Sequence, residues 1–191
     1  MLEVGGSVLV RRRADGDELE QAVRHALRPV KEGGASAVKI EGGRKRLPVV
    51  RALLDAEIPV MGHLGLTPQS IHRFGGYKVQ GRGEKAAARL KDEAALLADA
   101  GCFALVLECV PTDLAMQITQ AISIPTIGIG AGPYTDGQVL VLQDMLGMNP
   151  GFKPKFLKHY AQGHEMMTSA VNQFDAEVRR GCFPSAKESY R

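Results

Sequence analysis

Two spacings of apolar residues take turns along this chain, one of about 3.6 and one of two. From Asp15 to Gly34, Leu19, Val23 and Leu27 fall on one helical stripe. The acidic start offers a cap and Gly33–Gly34 a stop, while Pro29 would kink or end the helix early. "SAVKIEGG" then reads as a strand. "RKRLPVVRALLDAE" reads as a helix and "IPVMGHLGL" as a second strand. "TPQSIHRFGGYKVQGRG" is polar and glycine-rich, and predicts a long loop. "EKAAARLKDEAALLADAG" is the clearest amphipathic helix. "CFALVLECVP" is a strand, "TDLAMQITQAIS" a short helix, and "IPTIGIGAG" another strand. "GQVLVLQDMLGM" predicts a strand running into a loop, and from about Lys153 onward helices are expected. "GSVLVRR", near the start, would make a sixth strand.

Strands alternating with helices predict parallel β-α-β units. A run such as "FALVLECV" suits a sheet buried on both faces. Two architectures fit: a doubly wound open sheet, or a (β/α)8 barrel or part of one. Lys39 and Glu41, His63, Glu108 and the glycines of "GIGAG" all fall at or near the C-terminal ends of strands. That edge carries the chemistry in parallel α/β folds. Several strands giving one polar residue each favours the barrel, with residues 1–191 forming one domain and 153–191 its C-terminal helices.

Composition adds bounds. The chain has 191 residues, 45% hydrophobic and 24% charged, with net charge +3, which fits one globular domain. "RRR" at Arg11 to Arg13 is the densest basic run and reads as a solvated face. Aromatics are few and Trp is absent, so nucleic-acid stacking is not expected. Cys102, Cys109 and Cys182 form neither a disulfide framework nor a zinc pattern, which predicts a reducing compartment. No apolar run nears the roughly 20 residues that span a membrane. Charges after rather than before the first apolar stretch argue against a secretory signal.

Side chains alternate across a strand, so Lys39 and Glu41 share one face and Val38 and Ile40 the other. The pair reads either as a mutual salt bridge or as a site: the lysine neutralising a carboxylate, the glutamate holding a hard cation such as Mg2+. Glu108 shares its face with Ala104, Val106 and Val110. A buried carboxylate there needs a raised pKa or a partner. It reads as a general base or as an ion pair, with Lys39 the candidate partner. His63 reads first as a hydrogen-bonded structural residue. His25, His72, His159 and His164 have no metal-ligand spacing and are assigned to solvated faces. "GIGAG" fails the dinucleotide fingerprint because Pro133 takes the last glycine position, and "GGYKVQGRG" lacks the P-loop spacing. The "GIGAG" glycines more simply permit close backbone approach.

"VKIEGG" at 38–43, "PVMGHLGLTPQS" at 59–70, "FGGYKVQGRG" at 74–83, "LVLECVP" at 105–111 and "IPTIGIGAG" with "DGQVLVLQDMLGM" at 124–148 together resemble the ketopantoate hydroxymethyltransferase family. They stand in that family's order and cover the chain from about residue 16. The resemblance implies a (β/α)8 TIM barrel of the phosphoenolpyruvate/pyruvate type, here with its first strands missing. It implies hydroxymethyl transfer from 5,10-methylenetetrahydrofolate to 3-methyl-2-oxobutanoate, with Mg2+, in pantothenate synthesis. It makes Glu108 the proton acceptor, Lys39 and His63 substrate-binding residues, and Glu41 a metal ligand. It implies a homo-oligomer in the cytoplasm, or in the mitochondrion of a eukaryote, without nucleic-acid or membrane partners. Two family aspartates, one followed by "SLG" and one by "LP", have no counterpart; the second is expected near Arg11 to Arg13, where no carboxylate stands. An inactive paralogue, or a structural subunit assembling with full-length barrels, is the alternative expectation.

Overall fold

The computed structural model describes residues 16–68 and 78–190. "GSVLVRR", and with it the expected sixth strand, lies outside them, as do His72 and most of the loop expected between Thr67 and Gly83. The chain divides into two compact units, Met1–Val139 and Leu140–Arg191.

In the first unit α1 (Gly16–Lys31) leads to β1 (Val38–Glu41), and a 3-10 turn at Arg44–Arg46 opens α2 (Leu47–Asp55). Then follow β2 (Val60–Gly65), α3 (Glu84–Asp99), β3 (Ala104–Glu108), α4 (Thr112–Ala121), β4 (Thr126–Ile129) and β5 (Gly137–Gln138). Pro29 does not end α1 early. It lies in the last turn, where its carbonyl accepts the amides of Gly33 and Ala35 and closes the helix end.

All five strands are parallel, in the order β1-β2-β3-β4-β5. One face carries Val38, Ile40, Val60, Leu64, Leu105 and Leu107. Against it pack Ala22 and Ala26 of α1, Val49, Val50 and Leu53 of α2, Leu90, Ala94 and Leu97 of α3, and Leu114, Ala115 and Ile118 of α4. Every helix described in this unit therefore lies on one side of the sheet. A doubly wound sheet would carry helices on both faces. A sequential parallel sheet with helices on one side is the wall of a (β/α)-barrel, and the strand order decides between the two architectures left open above. The wall holds five strands among the described residues.

The other face has a smaller apolar cluster of Met61, Ala104 and Val106, with Ile127 and Ile129 beside it. Toward the C-terminal ends of the strands that face turns polar.

β5 is shorter than the "VLVL" pattern predicts. Only Gly137 and Gln138 pair with β4, opposite Ile127 and Gly128. Val139, Val141 and Leu142 stay exposed, so no burial rewards extending the strand. The chain turns instead into α5 (Leu142–Met145) in the second unit. Of the helices expected after Lys153, one long one, α6 (Gly163–Arg179), forms among the described residues. Gly163 is its buried residue, and its amide donates to the Leu146 carbonyl at 2.8 Å. Phe174 meets Phe183 edge to face at 5.3 Å between ring centres. Among the described residues no helix is long and apolar enough to cross a membrane.

Candidate functional site

Strand periodicity and register bring four expected residues together. Lys39 and Glu41 lie on β1, His63 on β2 and Glu108 on β3, all on the face away from the helices. Glu41 is the register partner of His63, and Gly65 that of Glu108. The four line up across three neighbouring strands near their C-terminal ends.

His63 is the hinge of the group, its side chain only 1% exposed. Its Nδ1 lies 3.2 Å from Lys39 Nζ, in hydrogen-bond contact, and 3.8 Å from Glu41 Oε1. Its Nε2 lies 3.3 Å from Glu108 Oε2. That second approach lacks hydrogen-bond direction, and Nε2 is the buried side-chain nitrogen without a hydrogen-bond partner among the described residues. The lysine and glutamate of β1 are in ionic contact, 3.7 Å apart. So the mutual salt bridge exists, but it is one edge of a larger constellation. Glu108 meets His63 rather than Lys39, its expected partner, because the imidazole of β2 reaches the two side chains through opposite ring nitrogens.

Three local devices that sequence reasoning missed hold Glu108 in place. Gly65 has φ of 95°, and a Cβ there would stand 2.1 Å from the Glu108 carbonyl oxygen. The amide after it, of Leu66, donates to that same oxygen at 2.8 Å. Cys109 is left-handed, with φ of 49°, a conformation uncommon for a side chain of this type. Its amide donates to Ile129 and its carbonyl accepts from Gln80, so hydrogen bonds on both sides hold the bend. The single glycine after "HL", Gly65, was the hint in the sequence. Burial, with the Glu108 charge second, pushes the Cys109 thiol up to about 11. Burial alone does the same for Cys102. Neither is a nucleophile at neutral pH. Cys182 is exposed, and all three cysteines are free.

The "GIGAG" loop meets its reading as a place of close approach. Gly130 and Gly132 both have positive φ, and a Cβ on Gly132 would stand 2.5 Å from Thr112 Oγ1 at the start of α4. His25, His159 and His164 are exposed, as expected of solvated positions. Among the described residues no group of three or more His, Cys, Asp and Glu side chains is arranged to hold a metal ion.

Residues 15–186 match the profile of the family described as ketopantoate hydroxymethyltransferase. The chain belongs to that family. The 3-methyl-2-oxobutanoate hydroxymethyltransferase of Bdellovibrio bacteriovorus is 59% identical over 165 residues, covering 86% of this chain and 63% of that protein. The protein of the same name from Syntrophomonas wolfei is 53% identical over 171 residues, covering 90% of this chain and 62% of its own. The chain thus spans less than two thirds of the length of these curated relatives. Among solved structures, phosphonopyruvate hydrolase overlays on 92% of this chain and 63% of its own at 12% identity, with a TM-score of 0.42. That likeness is too slight to bear on the fold beside the strand order. All four residues of the constellation fall within the matched span.

Proposed function

We propose that this chain carries the proton-abstracting part of a 3-methyl-2-oxobutanoate hydroxymethyltransferase site. The complete reaction would remove the C3 proton of the keto acid and add a hydroxymethyl group from 5,10-methylenetetrahydrofolate, giving 2-dehydropantoate for pantothenate synthesis. The observation that carries the reading is the chain of contacts from Lys39 through His63 to Glu108, at 3.2 and 3.3 Å. Membership of the family supports it.

Glu108 is the proton acceptor. Its carboxylate stays 14% exposed at the strand end, open to a ligand, with the buried His63 ring 3.3 Å away. A positioned carboxylate contributes typically 10²–10⁴-fold to such a proton transfer. Lys39, 22% exposed, balances the carboxylate of the keto acid, and His63 lines the pocket. The folate, when bound, supplies the one-carbon electrophile.

Magnesium is the cation this family reading implies, with Glu41 as a ligand. Glu41 offers the hard oxygen that Mg2+ takes. Beside it stand the Lys39 ammonium and the His63 ring, and among the described residues no group of three or more His, Cys, Asp and Glu side chains is arranged to hold a metal ion. They do not by themselves make a magnesium site.

The same shortfall favours a second reading, a non-catalytic subunit that assembles with complete barrels. Self-association is part of either proposal. Met167, Val171, Phe174 and Val178 form an exposed apolar row on α6, at spacings of three and four. Three free thiols support a reducing compartment, the cytoplasm.

Incubation with 3-methyl-2-oxobutanoate in D2O separates the readings. Exchange of the C3 proton is expected from the 191-residue chain, and Glu108→Gln should lower it at least about 100-fold. A folded chain without exchange would remove catalysis and leave the subunit reading. Unchanged exchange in Glu108→Gln would remove Glu108 as the base. Size-exclusion with light scattering checks assembly: a lone monomer, unaffected by added full-length relative, would exclude the subunit.

A further inference from the structure

Chemistry sets the direction of the contact between Lys39 and His63. An ammonium has three N–H donors and no lone pair. With Nζ 3.2 Å from His63 Nδ1, the ring nitrogen must be the acceptor. A ring with its lone pair on Nδ1 carries its one proton on Nε2. The Glu41 carboxylate would select the opposite tautomer if it accepted from Nδ1. At 3.8 Å it is beyond hydrogen-bond range, and the lysine is within it.

The Nε2–H that results faces the Glu108 side of the pocket. It is buried, 3.3 Å from Oε2, and has no hydrogen-bond partner among the described residues. Buried donors without acceptors are rare, and one at a strand end beside an open carboxylate calls for an oxygen from outside the chain. The other tautomer would be worse placed. It would set a nitrogen lone pair against the Glu108 carboxylate and against any keto or carboxylate oxygen entering next to it.

We propose that Lys39 is a positioning residue acting through His63. It holds the imidazole as the Nε2–H tautomer and so gives the pocket one uncharged donor beside Glu108, aimed at a keto or carboxylate oxygen of the ligand. The use of that donor in the reaction rests on the transferase reading above; the tautomer itself does not.

Nitrogen-15 NMR of the histidine-labelled 191-residue chain reads the tautomer directly. The spectrum is taken at about pH 8, above the ordinary histidine value of about 6.5. His63 is assigned by the signals lost in His63→Gln. The expected wild-type pattern is an unprotonated Nδ1 and a protonated Nε2. Lys39→Met should shift the ring to a mixture or to Nδ1–H. Lys39→Arg, which keeps donors without a lone pair, should retain Nε2–H. An Nδ1–H ring in the wild type, or an unchanged Nε2–H ring in Lys39→Met, would overturn the proposal. Should Lys39→Met not fold, the wild-type and Lys39→Arg spectra still decide, since Nδ1–H in either one overturns it. Proton exchange on the same samples separates the two layers. Tautomer control by Lys39 without wild-type exchange removes the transferase reading alone. Wild-type exchange with a tautomer indifferent to Lys39 removes the positioning role alone.

Discussion

Glu108 owes its place to a neighbour with no side chain. Gly65 lies opposite it in register, and the Leu66 amide that follows grips the Glu108 carbonyl at 2.8 Å. The grip is that close only because nothing projects from Gly65. An added Cβ would stand 2.1 Å from the carbonyl oxygen and 2.9 Å from Val110 Cγ1, on a residue whose φ of 95° already suits only glycine. The clash is with backbone, so no side-chain rotation relieves it. Gly65→Ala should therefore cost about 1–3 kcal/mol in stability from the forced conformation. It should also move the carboxylate, and a displacement near 1 Å lowers a positioned reaction by about 100-fold. A urea melt and the C3 exchange rate check the two effects. An Ala variant with wild-type values of both would mean that Glu108 does not depend on this contact.

Strands β1 to β4 were legible because alternation and burial agree in them. Val38 and Ile40 face the helices, and Lys39 and Glu41 do not, as a period of two demands. The same rule places Glu108 with Ala104 and Val106. What alternation within one strand cannot supply is the register between strands. That is why His63, read first as structural, turns out to stand between Lys39 and Glu108, and why the expected Lys39–Glu108 pair is not formed. β5 failed for the opposite reason: "VLVL" has the right pattern but gains no burial. The β4–β5 connection is pinned instead by polar bonds. Thr126 is fully buried, and its amide and hydroxyl both donate to Asp136 Oδ2, at 2.8 and 3.0 Å. The amide bond first, then the hydroxyl bond, holds the Asp136 carboxyl below its ordinary value of 3.8. A group lowered on folding adds stability above its unfolded value and loses it as pH falls through the folded one. The Asp136 contribution should thus be whole above about pH 4 and fade below it. Asp136→Asn should be less stable than wild type at neutral pH, with the gap closing on acidification. Urea midpoints between pH 2 and 7 would check this. A gap independent of pH would mean that the charge on Asp136 plays no part in the connection.

The whole chain poses a question that its parts do not. Its barrel wall brings Lys39, Glu41, His63 and Glu108 to one edge, and a proton acceptor needs little more than that. A divalent cation needs more. Mg2+ demands near-octahedral oxygen geometry, and although it keeps several waters, it is usually held by one or two carboxylates together with substrate oxygens. Here Glu41 is 5% exposed with Lys39 Nζ 3.7 Å from its Oε1, so an incoming cation meets an ammonium already in place. Replacing that contact gains nothing unless further oxygens join Glu41, and the described residues offer no group of three acidic, histidine or cysteine ligands. Binding to the folded state raises stability by RT ln(1 + [L]/Kd), about 2.7 kcal/mol at a hundred times Kd. The 191-residue chain should therefore melt at the same temperature in 10 mM EDTA and in about 10 mM MgCl2, a concentration that would saturate a submillimolar site and raise a small domain's midpoint by several degrees. Glu41→Gln should leave that indifference unchanged. A clear rise with magnesium, abolished by Glu41→Gln, would show that side chains outside the described residues complete the donor set, and would restore the metal to this chain's own chemistry.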